Sequence, residues 1–184
     1  MNDEVDVYSE FKIGIRTFSQ SYDWSCGPAA LRSVLYYQYG INITELEIAL
    51  VSGANSTGMD EANFEIGLKN LGLQYKESNS GTLNKLKEFL IKHKLPIVHI
   101  VMKDGCGHYL VFVGYDKENV YLADPSAGKI ITYGISFFLG IWKDEERETQ
   151  TRWFIVITGT RKSKIKTTIN KLKRIDKKLN NMIH

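Results

Sequence analysis

The sequence predicts an α+β fold, an N-terminal helical half packed on a C-terminal antiparallel β-sheet. Three observations carry this. Up to about Leu95 the apolar residues recur at three- and four-residue steps. After it come β-branched and aromatic runs separated by Gly, Asp, Asn and Pro. A chain of 184 residues with an apolar fraction of 43% can bury one core, which makes a single domain the natural unit.

The first helix is expected over "CGPAALRSVLYYQYG". Pro28 suits its first turn and Gly40 its stop. Ala30, Leu31, Val34, Leu35 and Gln38 fall on neighbouring turns, giving one mostly apolar face. Thr44-Glu45-Leu46-Glu47 reads as a capping box opening a short second helix. A third helix runs from about Met59 to Asn70, ended by Gly72, and a fourth is read in "TLNKLKEFLIKHK" from Thr82. Strands are expected in "PIVHIVM", "HYLVFVGY", "NVYLAD" and "KIITY", with "DKEN" as a hairpin turn and "TRWFIVIT" as the last strand. Helices first and strands second is the α+β pattern.

The acidic opening "MNDEVDVYSEFKIG" lacks the basic start and apolar run of a secretory signal. The longest apolar runs fall far short of the roughly 20 residues a membrane span needs. Cys26 and Cys106 make no disulfide framework, and reduced thiols in a cytoplasmic setting are expected. The net charge of +3 conceals an asymmetry: residues 161–184 hold nine Lys or Arg against one acid, about +8, leaving about −5 on the rest. A slightly acidic body gives no reason to expect a specific nucleic-acid partner.

Cys26 immediately precedes a predicted helix, where backbone N–H groups and the helix dipole favour a thiolate. Gly27 lets the backbone approach a substrate carbonyl. Taken alone, Cys26 could equally be a buried structural cysteine. His108 follows the turn "DGCGH", and Asp124 ends the next predicted strand, 16 residues on. If those strands form a hairpin, their outer ends lie side by side and the two residues become neighbours. The carboxylate would then orient the imidazole, leaving its other nitrogen to take the thiol proton. Gln20, six residues before Cys26, could donate to a developing oxyanion beside the Cys26 backbone N–H. Gly27, Gly107 and Tyr109 are the expected substrate contacts. Cys106 reads as an ordinary turn cysteine, with an oxidative partnership to Cys26 as the alternative. Ligands are too sparse around Cys106 and His108 for a zinc site.

Three blocks, "QSYDWSCGPAAL", "GHYLVFVGY" and "LADPSAGK", resemble the signatures of the bacteriocin-processing cysteine peptidases. That family forms the N-terminal domains of double-glycine leader transporters and has stand-alone relatives. The likeness spans about residues 12–158 and implies a papain-like fold. It also implies hydrolysis of a peptide bond through a thioester, without metal or organic cofactor. By matching position, Cys26 would be the nucleophile, His108 the base, Asp124 the orienting residue and Gln20 the oxyanion donor. One departure concerns specificity: transporter-linked members commonly carry aspartate before the cysteine, where this chain has Ser25, with Asp23 nearby.

The resemblance implies a peptide or protein substrate, cut at a small-residue site of the Gly-Gly type, and an ABC exporter in a separate chain as partner. It also makes the inner face of the membrane a candidate location. Two other readings stand beside it: a lytic endopeptidase acting on cell-wall cross-bridge peptides, and a non-catalytic peptide-binding module. The chain divides at about residue 160 into a peptidase domain, 1–160, and a basic amphipathic helix or tail, 161–184. Ile165, Ile169, Leu172, Ile175 (or Asp176), Leu179 and Met182 form the tail's apolar stripe, which would dock on the body, on a protein partner or on an anionic surface.

Overall fold

The computed structural model describes residues 9–143, 152–160 and 165–174. Helix α1 (Cys26–Tyr39) stops at Gly40, whose φ of 63° is the left-handed conformation glycine adopts without strain. Its Ala30, Leu31, Val34 and Leu35 are fully buried. Gln38, at the polar end of that stripe, crosses to the sheet: its amide nitrogen donates to the Ile157 carbonyl, and its oxygen accepts from Leu95 N–H. Helix α2 (Glu45–Ser52) opens with the expected capping box, the Thr44 hydroxyl and the Glu47 carboxylate each accepting from the other's backbone N–H. Asp60 and Asn63 form a second such box at the start of α3 (Glu61–Leu71). Helix α4 (Leu83–Leu90) is shorter than expected, because the chain turns after Ile91 and passes through His93 at a φ of 54°.

Seven strands make one antiparallel sheet. Six lie in the order β2-β7-β3-β4-β5-β6: β2 (Leu73–Ser78), β3 (Pro96–Val101), β4 (Gly107–Tyr115), β5 (Asn119–Asp124), β6 (Lys129–Gly134) and β7 (Phe154–Thr160). The two-residue β1 (Phe11–Lys12) pairs with the far end of β4. Every β4 residue from Tyr109 to Tyr115 is buried. Since successive side chains alternate faces, both faces of the sheet are covered there. Helices α1 and α4 pack against β4, and the short α5 (Ile135–Ile141) closes against β5 and β6, placing Phe138 and Trp142 in the core.

Three elements were not read from the sequence: β1, β2 and α5. Strand β2 lies inside what the pattern marks as the helical half and carries the polar stretch Gln74–Ser78. It is a strand because β7, some 80 residues later, offers it a partner: Leu73 faces Thr160 and Ser78 faces Phe154. A half-exposed edge strand needs few apolar residues, so local pattern says little about it.

Residues 165–174 form a helix. Ile165 and Leu172 are buried, and Ile169 packs partly against the core. The Thr168 hydroxyl donates to the Asn70 carbonyl at the end of α3. The outer half of the expected stripe, Ile175 (or Asp176), Leu179 and Met182, lies outside the described residues. Among the described residues no helix is long and apolar enough to cross a membrane.

Candidate active site

Cys26 is the first residue of α1, so its sulfur sits at the positive end of a 14-residue helix. The helix begins there because Ser25 leaves helical geometry, with φ −97° and ψ 19°, and Pro28 pre-sets the first turn. His108 and Asp124 arrive from the sheet. Val111 pairs with Ala123 across β4 and β5, so the β4 start and the β5 end lie side by side. The remaining offset is closed by the side chains: His108 Nε2 is 2.8 Å from Asp124 Oδ1. The same carboxylate oxygen accepts from Ser126 N–H at 2.8 Å, which fixes it from the turn side.

With Nε2 engaged by Asp124, Nδ1 is left for Cys26, to which the imidazole is hydrogen-bonded. Burial works against the thiolate. The His108 hydrogen bond and charge, with the Tyr109 and Gly27 backbone N–H groups, outweigh it and pull the Cys26 thiol below its ordinary value. Burial also opposes a charged imidazole, yet the hydrogen bonds to Asp124 and Cys26 hold the His108 pKa up at about 9. Burial pushes Asp124 upward, and the His108 bond more than offsets it, keeping the carboxyl below its ordinary range. The three shifts agree. Together they favour a thiolate–imidazolium pair backed by a carboxylate, the form in which a thiol attacks an electrophilic carbonyl.

Cys26 opens into a cleft of about 540 Å³ between α1, the segment joining α2 to α3, and the β3–β4 wall. Gly107 and Tyr109, two of the expected substrate contacts, line it. Gly27 does not; it is buried, and a Cβ there would stand 2.9 Å from that of Met59. Its lack of a side chain serves helix packing, and its part near the thiol is played by its N–H.

Gln20 sits in the loop before Cys26 with its amide held at both ends. Oε1 accepts from the Ser126 hydroxyl at 2.8 Å, while Nε2 reaches the carbonyls of Tyr22 at 3.0 Å and Asp23 at 3.3 Å. The Ser126 bond ties it to the turn that also fixes Asp124. To donate to an oxyanion, Nε2 would exchange one loop carbonyl for the ligand.

Sequence reasoning missed the residues that shape the cleft. His99 of β3 lies face to face on the Tyr109 ring, centroids 4.7 Å apart, with Nδ1 3.7 Å from Glu61. Its Nε2 is 2.4 Å from where a Cβ on Gly107 would be. So the glycine leaves room that the histidine occupies. Within "PIVHIVM" His99 read only as a strand residue, and no local signal marks it. Cys106 is exposed in the β3–β4 turn, where the Asp104 carboxylate raises its thiol pKa.

The peptidase C39 family model matches residues 15–146. An uncharacterized protein of Methanothermobacter thermautotrophicus is 36% identical over 111 residues, 60% of this chain and 72% of its own length. Among solved structures, the peptidase domain of Streptococcus ComA, a bi-functional ABC transporter involved in quorum sensing, superposes with a TM-score of 0.63. That match has 22% identity and covers 78% of this chain and 97% of that one. A double glycine motif protease from the AMS/PCAT transporter, solved with its leader peptide, gives 0.58 at 20% identity, covering 81% and 94%.

Proposed function

The chain belongs to the peptidase C39 family and is a cysteine peptidase, and we propose that it removes a leader or propeptide by cutting after a small-residue, Gly-Gly type site. The observation that carries this is the hydrogen-bonded chain Cys26–His108–Asp124, with Cys26 opening into a cleft that His99 also lines. In this mechanism His108 holds the thiol proton and the Cys26 thiolate attacks the scissile carbonyl. The carbonyl electron pair moves to oxygen, where the Cys26 backbone N–H and Gln20 receive it. As the tetrahedral intermediate collapses, the C–N bond breaks and His108 gives its proton to the leaving amine. Water, deprotonated by His108, then hydrolyses the thioester and returns the thiolate.

The wall beside the thiol supports a small-residue preference. His99 fills the space over Gly107, and the pairing with Glu61 and the Tyr109 stack hold it there. A bulky side chain next to the scissile bond would have to displace it. The double glycine protease that shares this fold supports the same substrate class here, with an exporter in a separate chain as the partner. The C39 family match supports a catalytic reading over a peptide-binding module.

The test is intact-mass analysis of a synthetic leader peptide ending in Gly-Gly before its cargo, incubated with wild type, Cys26→Ala and His108→Ala. Cleavage after the second glycine by wild type alone is expected. Equal cleavage of a peptide with Leu-Leu at that site would overturn the preference, and no cleavage or acyl-enzyme with any peptide would overturn the reaction.

A further inference from the structure

Glu45 is a carboxylate that the chemistry above does not use, and it is 4% exposed. It is the first residue of α2, but it plays no part in capping that helix, because Thr44 and Glu47 already do so. Its side chain instead crosses to the loop leading into Cys26. Oε2 accepts from Ser21 N–H at 2.8 Å and lies 2.7 Å from the Ser25 hydroxyl; Oε1 is 3.0 Å from the Ser21 hydroxyl. A buried carboxylate bound by three donors from one short segment fixes that segment, since losing any of them leaves an expensive unpaired acceptor.

The segment so fixed joins the two oxyanion donors of the proposed mechanism. Ser25 is fully buried and precedes Cys26, yet its hydroxyl makes no cap to α1. It is committed to Glu45 and to Tyr22, whose N–H it meets at 3.1 Å. Backbone bonding repeats the closure, Ser25 N–H donating to the Tyr22 carbonyl. That carbonyl, with the one at Asp23, is where the Gln20 amide rests. Glu45 thus holds the frame between Gln20 at one end and the Cys26 backbone N–H at the other.

We propose that Glu45 is a positioning residue for the oxyanion pocket, acting through residues 21–25 to set Gln20 and the Cys26 backbone N–H. This role rests on the reading of Cys26 as the nucleophile. It separates two properties that a general loss of structure would move together. Alkylation by iodoacetamide displaces iodide at carbon and forms no oxyanion. Addition of the thiolate to an aldehyde carbon moves the carbonyl pair onto oxygen, and therefore needs the pocket.

The experiment uses the full chain and two probes: iodoacetamide, and a peptide aldehyde ending in Gly-Gly whose affinity is read as protection of Cys26 from alkylation by intact mass. For Glu45→Ala we expect the aldehyde to bind roughly 10- to 100-fold more weakly, the scale of a misplaced oxyanion donor, with the alkylation rate within about threefold of wild type. Glu45→Gln keeps an acceptor oxygen for Ser21 N–H and Ser25, and should restore most of the affinity. Ser25→Ala removes the 2.7 Å contact without emptying the site, and tests the same link should Glu45→Ala fail to fold by circular dichroism; a several-fold loss of aldehyde affinity is expected. Unchanged aldehyde affinity in the folded variants, or parallel losses with both probes, would overturn the assignment. A wild type whose Cys26 neither alkylates faster than Cys106 nor takes the aldehyde would instead sink the reading of Cys26, and this role with it.

Discussion

His108 Nε2 and Asp124 Oδ1 lie 2.8 Å apart, joined across the mouths of two adjacent strands 16 residues apart in sequence. The bond fixes which imidazole nitrogen faces the thiol. Replacing Asp124 by Asn keeps the shape but offers the ring an amide that can donate as well as accept, allowing the wrong tautomer. Loss of kcat on the order of a hundred- to ten-thousand-fold is expected on a Gly-Gly leader peptide. In the same variant the His108 pKa, followed by NMR, should fall from about 9. An unmoved pKa with full activity would remove Asp124 from the proposed constellation.

Rate against pH should show two limbs with different owners. Peptide cleavage should rise as Cys26 ionises, at a pH below the ordinary thiol range, because the folded site lowers that pKa. It should fall through about pH 9, where His108 loses the proton destined for the leaving amine. Iodoacetamide alkylation needs only the thiolate, so it should share the rising limb and lack the falling one. An alkaline fall in alkylation would mean that the second group is not the amine's proton donor.

Much of this was legible locally. The Thr44–Glu47 box and the stops at Gly40 and Gly72 are signals written within a few residues, and the helices they bound form as expected. The His108–Asp124 proximity was also readable, since one hairpin with an ordinary turn at Asp116–Asn119 suffices to create it. What local pattern could not supply is whatever depends on distant chain. Strand β2 exists through β7, His99 matters through Gly107 and Glu61, and Glu45 passed for a helix-opening acid because its partners lie 20 and 24 residues earlier. Ser126, inside "DPSAG", gave no hint that its hydroxyl would hold Gln20.

The two cysteines should separate cleanly by reactivity. His108 and two backbone N–H groups lower the Cys26 thiol, whereas Asp104 raises that of the exposed Cys106. Near pH 6.5 limiting iodoacetamide should therefore label Cys26 first despite its lower exposure, as peptide mapping would show. His108→Ala should abolish this order, because exposure alone favours Cys106. Prior labelling of Cys106 in wild type would contradict the ion pair.

Gly107→Ala tests the wall of the cleft. The new Cβ would fall 2.4 Å from His99 Nε2, the outer end of a side chain, so the ring can yield while the strand stays paired. His99 would leave its place on Tyr109 and the contact with Glu61, reshaping the cleft beside Cys26. We expect KM for a Gly-Gly peptide to rise several-fold, with alkylation of Cys26 unchanged and only a modest loss of stability, about 1–3 kcal/mol. Full retention of KM would show that His99 does not border the bound substrate.

Removing residues 161–184 asks what the basic tail contributes. Its described helix buries Ile165 and Leu172, forms one wall of an open apolar hollow of about 280 Å³ whose other wall includes Tyr39 and Ile41, and donates one hydrogen bond to Asn70. At roughly 1.5–3 kcal/mol for each buried aliphatic side chain, two such residues set an expected loss of about 3–6 kcal/mol, readable as a lower midpoint in urea. None of these contacts involves Cys26, His108 or Asp124, so kcat on a Gly-Gly peptide should stay within about twofold well below the transition. The charge argues the same way: Lys166, Lys171, Lys173 and Arg174 flank the apolar stripe, and such exposed cations contribute little to folding. A truncated chain as stable as the full one would show that the body gains nothing from the helix, and would shift the expectation for this segment to a separate partner or an anionic surface. A stable truncated chain with kcat collapsed would place the tail in the catalytic cycle itself.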